Sequence, residues 1–306
     1  MGTGGDNGQS YVRGISFVLL ATLGWSLSGL FVRFMPELIG FQINCWRGFW
    51  TAVSILSYLV LAYGPKQAIE VYQHIPLPAL FLSAGFFAFG STMYVTSLTL
   101  VSTAVISVIG ATSPLFTGLL SPWVTGEKPG WTAWLAAVLA LAGVSIIARD
   151  KLEAGNWIGM LVCLMVPMSF AAQTLTLRRY RSVDMIPAIA LGGILAFLGA
   201  GAAGFLLLPS GGFGVDLKNL AILAAMALIQ LAIPLIFFTK GARSVPAITL
   251  SLIVMLDAVL NPLWPWLVVG EVPERSAFMG GSVIIAAVMI SIFGNQLMKR
   301  VVVRPK

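Results

Sequence analysis

Apolar runs of helix length follow one another along almost the whole chain, separated by short polar stretches. They occupy 14–34, 42–63, 77–97, 101–124, 131–148, 157–177, 187–208, 219–239, 245–269 and 277–297. Each approaches the about 20 apolar residues an α-helix needs to cross the hydrocarbon layer of a bilayer. Backbone groups in that layer must satisfy one another, and helices do so within a single segment. The pattern therefore predicts an all-α membrane protein with ten transmembrane helices. Two divisions are narrow: 96–103 parts the third run from the fourth, and Lys240, Gly241, Arg243 and Pro246 part the eighth from the ninth.

Outside these runs little remains. Residues 1–12, opening MGTGGDNGQS, read as a disordered N-terminal tail, and 299–306, KRVVVRPK, as a basic C-terminal tail. The first run has full helix length and no small-residue cleavage pattern, so it is expected to stay as the first membrane helix.

Composition agrees with the pattern. Hydrophobic residues make up 58% of the 306 and charged ones only 9%, against about 25% charged in a soluble domain. The net charge of +7 does not imply nucleic acid, because the basic residues stand singly between apolar runs instead of forming patches. With the N-terminus in the cytoplasm, twelve Lys and Arg fall inside: Arg13, Lys66, Lys128, Arg178, Arg179, Arg181, Lys240, Arg243, Lys299, Arg300, Arg304 and Lys306. Arg33, Arg149, Lys151, Lys218 and Arg275 fall outside, and Arg47 lies within a run. Basic residues concentrate on the cytoplasmic side of membrane proteins. Both termini are thus expected in the cytoplasm of a multi-pass protein of the cell (inner) membrane.

Enzyme chemistry finds little to work with. One histidine, His74, stands in a loop, and the cysteines Cys45 and Cys163 sit in apolar runs without metal-ligand spacing. No metal, cofactor or phosphate-binding loop is expected.

The chain repeats itself. A shift of 144 residues lays VTGEKPGWTAWLAA over VVGEVPERSAFMGG, pairing Gly126 with Gly270, Glu127 with Glu271 and Pro129 with Pro273. It also pairs Val101 with Val245, Ser107 with Ser251 and Ser113 with Asp257, while a shift of 145 pairs Gly14 with Gly159 and Arg33 with Arg178. Each half, 13–153 and 154–298, holds five runs. An odd number forces the second half to enter the membrane from the opposite face. Inverted repeats of this kind are a transporter architecture, because two related halves can exchange conformations around a shared site.

On these residues the chain resembles the EamA-type transporters of the drug/metabolite transporter superfamily. The likeness rests on Ser113, Pro114, Leu115 and Phe116 followed by Gly126 and Glu127, and on Asn261, Pro262, Leu263 and Trp264 followed by Gly270 and Glu271. The resemblance implies a central cavity lined by the first four helices of each half, with the fifth and tenth as scaffold. It also implies movement of amino acids or other metabolites, without fixing direction. Many relatives carry Glu where this chain has Asp257.

Polar groups at membrane depth are costly and mark candidate sites. Asp257 lies about 18 Å into the ninth run, and Asn261 and Trp264 follow at i+4 and i+7 on one helix face. That face would bind an ammonium or exchange a proton; a neutral Asp bonded to a neighbouring helix is the alternative. Arg47 would hold a carboxylate through paired hydrogen bonds, or snorkel outward, or pair with Glu37. Trp25 and Ser28 on the first run, Trp46, Tyr94, Ser113, Gln173 beside Phe170, and Gln230 complete the candidate substrate-binding set. The aromatics serve equally as interfacial belts, whereas an amide in lipid needs a partner.

Small residues on the fourth run (Thr103, Ser107, Gly110, Thr117, Ser121) suit close helix packing. Pro246, Pro262 and Pro265 read as bends, and Glu127 and Glu271 as helix caps at span ends. Gly280, Gly281, Ala286 and Ala287 offer a surface for a second copy, so a homodimer is an alternative to a monomer.

Together these readings describe a secondary transporter of a small metabolite, an amino acid or related zwitterion with export favoured, working by alternating access. An organic-cation carrier of the same fold, or a solute channel, are the alternatives.

Overall fold

The expected breaks and runs reappear as helices in the computed structural model of the protein, which describes residues 3–101, 103–149, 157–207, 214–270, 272 and 275–302. The first half contains α1 (Thr3–Trp25), α2 (Ser28–Arg33), α3 (Gly40–Tyr63), α4 (Pro65–Gln73), α5 (Leu77–Leu100), α6 (Thr103–Gly110), α7 (Ser113–Val124) and α8 (Trp131–Ala148). The second contains α9 (Trp157–Arg179), α10 (Ile186–Leu207), α11 (Leu217–Met226), a π-helical stretch over Ala227–Ala232, and α12 (Ile233–Gly241). It closes with α13 (Ala247–Val254), α14 (Asp257–Leu260), α15 (Leu263–Val269) and α16 (Arg275–Val302). Helix already begins at Thr3, where a tail had been expected, and α16 runs past 298 to Val302.

Among the described residues, nine helical stretches are long and apolar enough to span a membrane. The expected ninth run does not form one of them. It is cut by turns at Met255 and Leu256 and again at Asn261 and Pro262, leaving only a shorter apolar stretch, Ala247–Leu260. Pro246 stands before α13 and parts it from α12, and Pro262, which lacks the N–H that an unbroken helix requires, lies in the second cut. The fourth run breaks at the matching place, between α6 and α7, with Pro114 in the first turn of α7.

Burial is inverted relative to a soluble protein. Leu61, Phe205, Leu206 and Trp123 point outward, while Thr22, Ser26, Asn44, Thr51, Ser97 and Thr117 are buried. Exposed apolar area on this scale would drive aggregation in water, and lipid removes that penalty.

Corresponding helices of the two halves pack on each other in antiparallel fashion. Along α3 and α10, Cys45 Sγ lies 3.6 Å from the Phe197 carbonyl, Gly48 abuts Gly193 and Phe197, and Gly193 abuts Ala52. Along α8 and α16, Gly143 meets both Gly280 and Ile284, and Gly280 meets Ile147. Other contacts exchange when the halves are exchanged: α5 packs on α9 as α12 packs on α1. The repeat's glycine pairs follow the same logic. Gly14 abuts Ser244 and Val245, and Gly159 abuts Leu100 and Val101. Gly126 and Gly270 both adopt positive φ, +74° and +77°, which residues with a Cβ rarely adopt.

The small-residue surface assigned to a second copy is used inside the chain. Gly280 faces Gly143, Gly281 faces Val259, and Ala287 is fully buried, because two glycines let α8 and α16 approach closely.

Candidate functional site

A cavity of about 180 Å³ opens between the halves, lined by Trp25, Arg47, Phe86, Phe87, Gly90, Ser91, Tyr94, Val166, Phe170, Gln173, Leu231 and Leu235. Helices α1, α3 and α5 supply one wall, and α9 with the π-helical region supplies the other. Four of the sequence candidates meet here: Trp25, Arg47, Tyr94 and Gln173.

Trp25 stands at the last residue of α1, where the first span breaks. Its ring lies edge-on to Phe170, with centroids 6.3 Å apart, and tilted against Phe238 at 5.2 Å. Its indole N–H is buried without a partner. Gln230 approaches from below: its amide donates to the Trp25 carbonyl at 3.4 Å, and its Oε1 is buried without a partner. Gln230 sits in the π-helical stretch because Pro234, four residues on, has no N–H to give its carbonyl. Gly24 lets α1 sit directly on Pro234.

Arg47 projects from the second turn of α3. Its Nη2 donates to Asn44 Oδ1 at 3.1 Å and to Ser91 Oγ at 3.4 Å. Among the described residues it forms no ion pair, so the alternative partner Glu37 does not meet it. Asn44 and Ser91 escaped the sequence reading. A polar residue three positions before a membrane-depth arginine, on the same helix face, was the available signal.

Tyr94 lies within electrostatic range of both Arg47 and Asp257. Asp257 opens α14, directly after a turn, just as Ser113 opens α7. Asn261 donates to Asp257 Oδ2 at 3.3 Å, and Oδ1 is buried without a partner. The broken span carries Trp264 elsewhere: its indole N–H donates to Ser26 Oγ at 2.8 Å. The remaining candidates stand apart from the cavity. Trp46 packs against Phe49 and Phe197. Ser113 is buried with its hydroxyl unpartnered, and Ser28 lies beyond the break after Trp25.

A larger depression of about 500 Å³ lies at one end of the molecule, lined by Glu127, Gly126 and Arg178 to Arg181. Its chief charges already pair. Arg178 Nε donates to Glu127 Oε1, Arg178 Nη1 donates to the carbonyls of Ala242 and Arg243, and Glu127 Oε2 accepts the Ala247 N–H at 3.0 Å. Glu127 is thus the cap of α13. Its repeat partner Glu271 lies outside the described residues, as do Pro273, Lys151, Arg304 and Lys306. His74 is exposed at the end of α4, its Nδ1 2.9 Å from the Glu70 carbonyl oxygen. No group of metal-ligating side chains occurs among the described residues.

The sequence profile of the EamA-like transporter family matches residues 12–149 and again 157–293. The chain belongs to this family. The family matches the chain twice in succession, and it makes the protein a multi-pass membrane transporter. The chain is 28% identical over 227 residues to the uncharacterized transporter YdfC of Bacillus subtilis (strain 168), covering 69% of this chain and 70% of that one. It is 26% identical over 296 residues to the uncharacterized transporter YwfM of the same organism, covering 90% and 92%. A crystal structure at 17% identity superposes with a TM-score of 0.81, over 96% of this chain and 99% of that one; at that identity the likeness concerns the fold alone.

Proposed function

We propose that this EamA-like transporter is a secondary transporter that moves a small zwitterionic metabolite, an amino acid or close relative, with export as its direction. The carrying observation is the cavity shared by the two halves, with Arg47 and Tyr94 on its wall and Asp257 within electrostatic range of Tyr94. Opposite charges so placed suit a carboxylate and an ammonium on one solute. A volume of about 180 Å³ falls below the about 300–1,000 Å³ of drug-sized sites, which favours a compact substrate.

The mechanism is alternating access between ten spans arranged as two inverted five-helix repeats. The antiparallel packing of α3 on α10 and α8 on α16 supports the inversion. Breaks at Trp25, in the π-helical stretch and between α13, α14 and α15 support movable segments around the cavity. The orientation has support as well. Glu127 with Arg178, Arg243 with Asp184 at 3.2 Å, and Gly14 against Ser244 gather Arg13, Lys128, Arg178, Arg179, Arg181, Lys240 and Arg243 at one end. Basic residues favour the cytoplasmic side, which supports that end as the cytoplasmic one and both termini as inside.

The aromatic faces of Trp25, Tyr94 and Phe170 beside one acid favour a second reading, an organic-cation carrier. Counterflow in proteoliposomes preloaded with amino acids, polyamines or quaternary amines separates the two. Wild type and Asp257→Asn are compared with and without a pH gradient. Saturable exchange of amino acids, abolished in the variant, is the expected result. Exchange that persists without its pH dependence makes Asp257 a coupling group. Exchange of quaternary amines alone favours the second reading, and linear, unsaturable flux would replace the carrier by a channel.

A further inference from the structure

We infer that Arg47, Asn44 and Ser91 form a carboxylate site whose free polar atoms are predominantly hydrogen-bond donors, and that this site disfavours cations. The inference rests on the transport reading above and names the chemistry of one end of the substrate.

The argument begins with acceptor capacity. Asn44 Oδ1 receives both the Arg47 Nη2 donor at 3.1 Å and the Ser91 hydroxyl, which fills its two lone-pair directions. The Ser91 proton is thereby committed, and Ser91 Oγ acts toward Arg47 only as an acceptor, at 3.4 Å. What remains, beside one lone pair of Ser91 Oγ, is N–H. Arg47 Nε and Asn44 Nδ2 are both buried without a partner, and Asn44 is only 1% exposed.

The charge argument points the same way. A guanidinium keeps its proton in proteins, and a buried charge without a counter-ion costs several kcal/mol. Among the described residues no carboxylate pairs with Arg47. Tyr94, the ionisable group in electrostatic range, is a phenol. Among the described residues no carboxylate supplies the compensating charge, and the cavity that Arg47 and Ser91 line gives an anion from outside a route to it. A carboxylate brings acceptor oxygens in the geometry an arginine fork matches. A cation would find at most the remaining lone pair of Ser91 Oγ here and would meet a like charge.

Asn44 and Ser91 are positioning residues: they hold Nη2, so that a ligand engaging the unpartnered Nε would leave that anchor in place. Their roles make Asn44→Asp a decisive variant. It is isosteric, keeps the acceptor oxygens, and supplies Arg47 with an internal counter-ion, so the fold is retained while the site is neutralised.

The test uses the full chain with a mixture of L-amino acids and, as the matched probe, the corresponding L-amino acid amides, which keep the ammonium and side chain but lose the carboxylate. In wild-type counterflow the acids are expected to compete at least tenfold more strongly than the amides. Asn44→Asp and Arg47→Gln should abolish that discrimination, and Ser91→Ala should raise half-saturation about tenfold while leaving the maximal rate within twofold. Amides competing as well as acids, or Asn44→Asp transporting acids unchanged, would overturn the inference. So would half-saturation set by chloride concentration, which would make the anion an inorganic counter-ion. If wild type shows no counterflow of any panel member, the transport reading fails by itself. The site is then decided in detergent, where acids must raise the unfolding midpoint of wild type but not of Asn44→Asp; no rise in wild type overturns it.

Discussion

The Glu127 carboxylate bridges the two halves of the protein: one oxygen accepts from Arg178 and the other caps α13 at the Ala247 N–H. Glu127 follows α7 in the first half, whereas both of its partners belong to the second. The Arg178 side chain is 8% exposed and that of Glu127 25%, so the pair is only partly screened. Breaking a buried pair costs about 3–5 kcal/mol, and this partly open one should cost about 2 kcal/mol after discounting for solvent. Glu127→Ala is expected to lower the unfolding midpoint in detergent by several degrees. Glu127→Gln, which keeps an acceptor for Ala247, should lose less. Equal losses in a thermal-shift measurement would show that the charge contributes little.

Close approach of α3 and α10 depends on two facing glycines. A Cβ on Gly48 would lie 2.8 Å from both the Gly193 carbonyl oxygen and the Phe197 nitrogen, and one on Gly193 would lie 2.7 Å from the Gly48 carbonyl oxygen. These are backbone atoms and cannot step aside. Gly48→Ala and Gly193→Ala should each destabilise by about 1–3 kcal/mol. Gly85→Ala, where a Cβ meets nothing within 4 Å, should be neutral or slightly stabilising through helix propensity. Unfolding midpoints of the three variants check the contrast.

Trp264 and Ser26 tie the broken ninth span to the break in the first. Ser26 Oγ accepts from Trp264 at 2.8 Å and donates to the Leu23 carbonyl at 2.7 Å. Ser26→Ala leaves the indole N–H unpaired, at a cost of about 1–2 kcal/mol. A double-mutant cycle with Trp264→Phe should give a coupling of about 1 kcal/mol; additive losses would mean the bond contributes nothing.

Pro234 creates the π-helical stretch that holds Gln230 against Trp25. Pro234→Ala restores the missing N–H and lets the stretch relax to an α-helix, turning Gln230 away from the Trp25 carbonyl. The expected outcome is a folded protein with an unfolding midpoint at least as high as wild type and a counterflow rate lowered at least tenfold. An unchanged rate would show that the π-helical geometry is not needed for transport.

The elements that were legible in the sequence share one property: each is written in adjacent residues. The run over 42–63 reads directly as α3, and the repeat that pairs Gly126 with Gly270 returns as two successive family matches. The ninth run shows where such reading stops. Its apolar residues continue without pause, yet turns at Met255 and Asn261 divide it, and the Trp264 indole N–H finds Ser26 in the first span.

The cavity was legible only in part, for the same reason. Arg47 stands out in any apolar run, but Asn44 and Ser91 look like ordinary small polar residues until α3 is set against α5. Trp46 looks as promising as Trp25, and the rotation of α3 about its axis sends it instead into packing with Phe197.

The sequence by itself therefore determined the solvent this protein lives in, its helices, its two halves and the short list of polar groups that lipid would not tolerate. Hydropathy, turn residues and repeats act over a few residues or at a fixed offset, so a linear reading captures them. Only the tertiary structure decided which of those polar groups meet. That outcome depends on helix rotation, on glycine-mediated approach and on breaks in the spans, and these rest on contacts between separate helices, such as Arg47 with Ser91 and Trp264 with Ser26.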